Sequence, residues 1–264
     1  MLQGVLGKLL PLMAWLAILA VVFGVVERAF TLRSLGGKRE GIERDLVYYF
    51  LNSLVPAVVL GAIGALLVRL VAHLLPTSYT DWIASWPFWA RSLAFFVVGE
   101  IGFYWGHRLS HISPFLWRFH AVHHSAEHID WLTNTRAHPV DMIFGRLCGL
   151  VPAYALGLAT PGPTGGGLAP VLILLVGTVW GFFIHANVKW RFGPFEWLIA
   201  TPAFHHWHHT NDANRDRNFA STLPWIDRLF GTHHLPREWP SEYGIDDKTM
   251  PRDVTGQLLK PLRR

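Results

Sequence analysis

Eight histidines stand at spacings that can gather imidazoles around metal ions. His107 and His111 lie four residues apart in His-Arg-Leu-Ser-His, so on a helix they share one face. His120, His123 and His124 form a His-x-x-His-His cluster, and His205, His208 and His209 repeat it downstream. Neutral imidazole nitrogen suits iron, zinc, copper or nickel, whereas calcium and magnesium take oxygen ligands. Eight ligands exceed the four of a zinc site and match two metals holding four or more each. Irons there could cycle redox states with dioxygen, which zinc cannot do. The chain has 15 histidines, and 11 of them fall within 107–138 or 205–209. Its one cysteine, Cys148, excludes an intramolecular disulfide and a thiolate cluster.

The elements that must carry these residues are long and apolar. The 264 residues are 51% hydrophobic and 16% charged, with a mean hydropathy of +0.28, against roughly 25% charged in soluble domains. Leu9–Val26 has no charge and is long enough to cross a hydrocarbon core of about 30 Å. It ends at Glu27-Arg28 rather than at a small-residue cleavage site, which favours a retained helix over a signal peptide. Further spans are expected at Leu46–Leu75, where Pro56 kinks the helix or marks its start, and at Phe88–Trp105, Val140–Ala159 and Leu168–Ile184. The turn Thr160–Gly167 between the last two is read as a breaker. Loop 27–45 holds Arg28, Arg33, Lys38, Arg39 and Arg44, whereas 76–90 and 157–170 hold no Lys or Arg. The positive-inside rule therefore assigns that loop to the cytoplasm. Counting onward puts 106–139, everything after 185 and the basic tail (Lys248, Arg252, Lys260, Arg263, Arg264) on the same side. Every dense histidine cluster thus faces the cytoplasm. Ser113-Pro114 and Thr201-Pro202 are N-cap and first-helical-position pairs, so helices are expected to open there and carry the two clusters. The fold class that follows is an all-α integral membrane protein, with four to five transmembrane helices and a cytoplasmic helical cap carrying a His-rich dimetal site. The net charge of +5 and pI near 9.6 fit cytoplasmic loops against anionic lipid, with no nucleic-acid partner. A bacterial inner membrane is the expected location.

In chain order, His107–His111, His120–Ser125, Arg136–Asp141, His185–Asn187, Thr201–His209 and Leu223–Thr232 read HRxxH, HxxHHS, RxHPxD, HxN, TPxFHxxHH and LPxxDRLFGT. Together they resemble the fatty acid hydroxylase / sterol desaturase superfamily over about residues 93–234. The resemblance implies a membrane-bound non-haem di-iron enzyme that uses dioxygen and external electrons to hydroxylate or desaturate a lipid such as an acyl chain or sterol-like molecule. It implies metal ligation by His107, His111, His120, His123, His124, His205, His208 and His209, with His185 at a further ligand position. Where some members carry another histidine four residues later, this chain has Lys189. The domains read from this are N-terminal transmembrane helices (1–92), a catalytic domain (93–234) and a polar C-terminal tail (235–264). No flavin, iron–sulfur or haem-attachment pattern is visible, so electrons are expected from a separate donor of ferredoxin or cytochrome type.

His138, Asn187, Glu100 and Asp227 are candidates for supporting the ligands from outside, as is Glu196. Glu100 lies two turns before His107 on the same face, and an ion pair with Arg91 or Arg146 is its structural alternative. His206 sits one residue off the face of its cluster and reads as a packing or supporting residue. His73, His128, His233 and His234 read as interfacial, loop or surface histidines. The rival from another class is a membrane metal transporter or metal-binding protein without oxygenase activity. Transporter histidine loops tend to be low-complexity, whereas these histidines keep helical spacing behind Ser-Pro and Thr-Pro caps. A metal kept as a structural staple in a pseudo-enzyme is a second rival.

Overall fold

The computed structural model describes residues 2–34, 39–160 and 168–263. Lys38, Arg264 and most of the Thr160–Gly167 turn lie outside the described residues. Among those residues the chain is all helical, with two isolated bridges and no strand. The long elements are α1 (Leu2–Phe30), α2 (Ile42–Leu74), α4 (Phe88–Ile112), α6 (Pro139–Ala155) and α7 (Ala169–His185). Shorter ones are α3 (Thr77–Ser85), α5 (Pro114–His124), α8 (Pro202–His208), α9 (Trp225–Leu229) and α10 (Val254–Leu259).

Two helices are long and apolar enough to cross a membrane: Leu9–Phe30 within α1, and α2. Only 11% of each apolar window is buried in the protein. A core helix of a soluble domain would be covered, so the exposed apolar flanks identify a membrane protein. The second helix runs through Pro56 without a break, although sequence left open that the proline starts it. The helix α7 is apolar but shorter, at 17 residues.

The scaffold around the histidines is pinned in three ways. First, α4 and α6 cross at glycines. A Cβ on Gly102 would stand 2.1 Å from the Cys148 carbonyl oxygen, and one on Gly149 would stand 2.8 Å from the Gly99 carbonyl oxygen. Small residues let the two backbones touch, as in closely packed membrane helices. Second, a buried ionic knot ties α2 to the segment before α6. The Asp45 carboxylate accepts from Arg136 Nε at 2.6 Å, Arg136 Nη2 at 2.8 Å and Arg39 Nη2 at 2.7 Å. Arg39 also bonds Asp130. Third, α1 packs Leu19 and Phe23 against Tyr49 and Phe182. At its end, the Glu27 carboxylate accepts the backbone N–H of Trp131 (2.8 Å) and of Asn187 (2.9 Å).

The two histidine-bearing short helices start where their local sequence dictates. Ser113 Oγ accepts from the Leu116 N–H and Thr201 Oγ1 from the Phe204 N–H, each with proline in the first helical position. Such caps contribute about 1 kcal/mol each and fix where each helix begins.

Candidate metal centre

Four elements deliver nine histidines to one place. His107 and His111 come from the end of α4, which continues to Ile112. His120, His123 and His124 come from α5, His185 from the end of α7, and His205, His208 and His209 from α8 and its C-cap. They sort into two groups, His107, His111, His120, His124 and His208, then His123, His185, His205 and His209. Within each group one nitrogen per ring lies within 4.8 Å of all the others. The groups adjoin, with the His124 and His209 ring centroids 4.5 Å apart and those of His123 and His124 5.6 Å apart.

The atoms that converge are Nε2. In the first group His120 Nε2 is 3.2 Å from that of His107, 3.1 Å from that of His111 and 3.1 Å from that of His124, which is 3.1 Å from that of His208. In the second, His185 Nε2 lies 3.3 Å from that of His123 and 2.9 Å from that of His205, itself 3.1 Å from that of His209.

In six of the nine rings the far side decides what those nitrogens offer. Nδ1 of His107 faces the Phe219 carbonyl at 2.7 Å, and that of His123 the Arg136 carbonyl at 2.9 Å. His185 faces the Gly181 carbonyl at 2.7 Å and His208 the Arg217 carbonyl at 2.8 Å. A carbonyl only accepts, so in these four rings Nδ1 carries the proton and Nε2 presents a lone pair. Carboxylates do the same for two more: His111 Nδ1 to Asp216 (2.9 Å) and His120 Nδ1 to Asp141 (3.0 Å). Lone pairs aimed at one another about 3 Å apart repel, unless a cation sits among them. With metal–nitrogen bonds of about 2.0–2.1 Å, ligand nitrogens stand roughly 2.9–3.4 Å apart, the range seen here. The donor set therefore fits two metal ions. Burial favours the neutral, ligating form in the rings of both groups that it acts on most. It pushes His123 down to about 4, and holds His124, His205, His208 and His209 well below the ordinary histidine value, with neighbouring imidazoles adding to the effect.

His206 is built the opposite way. Its Nε2 donates to the Ala186 carbonyl at 3.1 Å, and its Nδ1 accepts from Tyr243 Oη at 2.8 Å. Both nitrogens are spent, so it is a bracing residue. Of the other candidate supports, Asp227 works at one remove. Its carboxylate accepts the N–H groups of Phe219 and Ala220 at 2.7 and 2.9 Å, holding the strip whose carbonyl receives His107, and bonds none of the nine clustered rings among the described residues. His138 caps α6 by accepting from the Val140 N–H, and its Nε2 donates to the Leu258 carbonyl. Asn187 brackets the Arg33 backbone through both side-chain atoms. Glu196 accepts from Thr201 and Phe192. None of these three bonds a clustered histidine. Glu100 accepts from Ser221 Oγ and the Thr222 N–H, where sequence reasoning offered an arginine partner. Arg91 instead bonds the carbonyls of Ala84 and Thr160.

Sequence reasoning gave no role to Asp141 or Asp216, although Asp141 stands inside the RxHPxD motif. Replacing Asp141 by Asn should weaken metal binding about 10–100-fold, the usual cost of losing a carboxylate behind a ligating histidine. Equilibrium competition with a chelator measures this, and unchanged affinity would remove Asp141 from the site.

A cavity of about 240 Å³ opens from the histidines between α4, α6 and α7. His107, His120, His123, His185 and His205 form its polar end, and Phe95, Phe96, Leu150, Ile173 and Leu174 line its apolar part.

Residues 92–232 match the model of the fatty acid hydroxylase family. Among curated relatives, an ornithine lipid hydroxylase, OlsE, of Rhizobium tropici is 35% identical over 189 residues, covering 69% of this chain and 54% of the relative. An alkylglycerol monooxygenase of Xenopus tropicalis is 30% identical over 62% of this chain and 34% of the relative. For methylsterol monooxygenase 2-2 of Arabidopsis thaliana the figures are 30%, 54% and 52%. The chain thus spans about half, or less, of the length of these relatives. No solved structure matches it.

Proposed function

Because the chain belongs to the fatty acid hydroxylase family, we propose that it is a membrane-bound, non-haem di-iron oxidoreductase that hydroxylates a lipid. The observation that carries this reading is the meeting of nine Nε2 atoms, in groups of five and four, at the polar end of an otherwise apolar cavity. His107, His111, His120, His124 and His208 would hold one iron, and His123, His185, His205 and His209 the other. With dioxygen and electrons from a separate donor, two irons held there would supply the oxidising power for hydroxylation or desaturation at an unactivated C–H bond. The protein's own residues do the rest. The carbonyls of Phe219, Arg136, Gly181 and Arg217 and the carboxylates of Asp141 and Asp216 fix the rings and their tautomers. Phe95, Leu150 and Ile173 keep an alkyl chain out of water, and the cavity sets its approach to the imidazoles. The histidine face lies on the cytoplasmic side in this reading, within reach of a soluble or peripheral electron donor, with five membrane spans in a bacterial inner membrane. Residues 93–234 form the catalytic unit, carried by the helices of 1–92 and covered by 235–264.

Transport is the less favoured alternative. Lone pairs locked by backbone carbonyls suit permanent retention rather than passage. Lipid profiling by mass spectrometry of a deletion strain, with and without the restored gene, decides between them. The proposal expects a hydroxylated lipid to vanish and return. An unchanged lipid profile with altered cellular metal would overturn it.

Acid should release the metal. His123, His124, His205, His208 and His209 stay neutral when folded, whereas in the unfolded chain they titrate near 6.5. Protons therefore bind the unfolded chain preferentially below that value, and stability present above about 6.5 is lost as pH falls toward 4. Metal content and melting temperature measured between pH 7.5 and 5 should fall together. A flat profile would contradict the burial of neutral imidazoles.

A further inference from the structure

The cavity wall carries a cation that the metal centre does not use. Arg146, on α6, borders the cavity and makes no hydrogen bond or ion pair among the described residues. The two carboxylates on the same wall are already committed. Asp141 faces His120 and Ser110, and Glu100 faces Ser221 and Thr222. A guanidinium in an apolar cavity is costly without an anion, and its planar fork of donors matches the oxygens of a carboxylate or phosphate. The glycine crossings fix its depth. Gly102 meets Cys148 and Gly106 meets Gly145, so Arg146 stands level with about residues 104–105 of α4. That is two or three residues before His107, or about 3–5 Å along the axis.

We propose that Arg146 is the substrate-recognition residue of this cavity, and that it pairs with an anionic oxygen group of the lipid, a carboxylate or a phosphate. The alkyl chain lies beyond it over Phe95, Leu150 and Ile173, and the polar end points to the imidazoles. Carbons next to the anionic group, rather than mid-chain carbons, are then the ones nearest the imidazoles. The inference rests on the reading of this cavity as the lipid site, but its test needs neither dioxygen nor electrons.

The whole chain, purified in a neutral maltoside detergent, is titrated calorimetrically with decanoate, decyl phosphate and decanol. At least one of the two anions should bind about tenfold or more tightly than decanol, as a charge-assisted pair requires, and the stronger one identifies the group. Arg146→Gln should abolish this preference while leaving decanol affinity and metal content unchanged, and Arg146→Lys should keep part of it. Equal binding of all three probes by the unaltered protein would overturn the proposal without recourse to any variant. So would a preference that survives in Arg146→Gln. Failure of the oxygenase reading shows instead in the lipid profile, with the binding preference intact.

Discussion

His123→Ala protein should hold at most one iron per chain and lose lipid hydroxylation to below about one per cent. His123 belongs to the four-membered group, whose other members are His185, His205 and His209. A group of four has no spare ligand, whereas the group of five does. The same ring adjoins the other group, its centroid 5.6 Å from that of His124. Disturbing a residue behind a ligand costs about 10–100-fold in affinity, so removing the ligand itself must cost more. His206→Ala is the matched comparison, because that ring is equally buried and next in sequence to a member of the group, yet spends both nitrogens on Ala186 and Tyr243. It should lose stability and keep its metal. Metal analysis and turnover on the two variants check this. Full metal in His123→Ala, or equal metal loss in both, would contradict the assignment.

Asp45→Asn should lower the melting temperature by roughly 10 °C and loosen the second group of histidines. The Asp45 side chain is fully buried, and its charge is what Arg39, Arg136 and, at 3.9 Å, Arg44 share. Breaking a buried ion pair from one side costs about 3–5 kcal/mol, which for a chain of this size is roughly 6–20 °C. Arg39 retains Asp130, so the loss falls on Arg136, which has no other carboxylate among the described residues. The Arg136 backbone carbonyl receives the His123 N–H, which joins this ionic knot to the metal centre. The double variant Asp45→Asn/Arg136→Gln should recover part of the stability, because it no longer buries an unpaired guanidinium. Thermal melts and metal titrations of the two proteins test the link. A single variant as stable as the parent would show that the knot carries no weight.

The helix starts and the histidine faces were legible because they depend on neighbours in sequence. Ser113-Pro114 and Thr201-Pro202 are local caps, and the i, i+3, i+4 spacing needs only a helix. The division of the rings was not legible. His123 and His124 are consecutive, so on a helix they point about 100° apart and enter different groups, as do His208 and His209. Only the tertiary fold says which ring meets which. The supports escaped for a plainer reason: four of them are backbone carbonyls, which every residue possesses, so Phe219, Arg136, Gly181 and Arg217 carry no signature in their side chains. Tyr243, which spends one nitrogen of His206, comes from the segment read as a polar tail. Asp227 was picked out as a support, but it acts on the backbone of Phe219 and Ala220 rather than on a ring. Pro56 misled in a milder way. It is buried inside α2, and the helix passes through it.

The central claim is that two groups of imidazoles, five and four, each hold an iron. Metal analysis with X-ray absorption at the iron edge, on protein purified from iron-supplied cells, tests it most directly. The account predicts close to two irons per chain, bound by nitrogen and oxygen without sulfur. Stoichiometric zinc under the same conditions, or a single metal per chain, would contradict it.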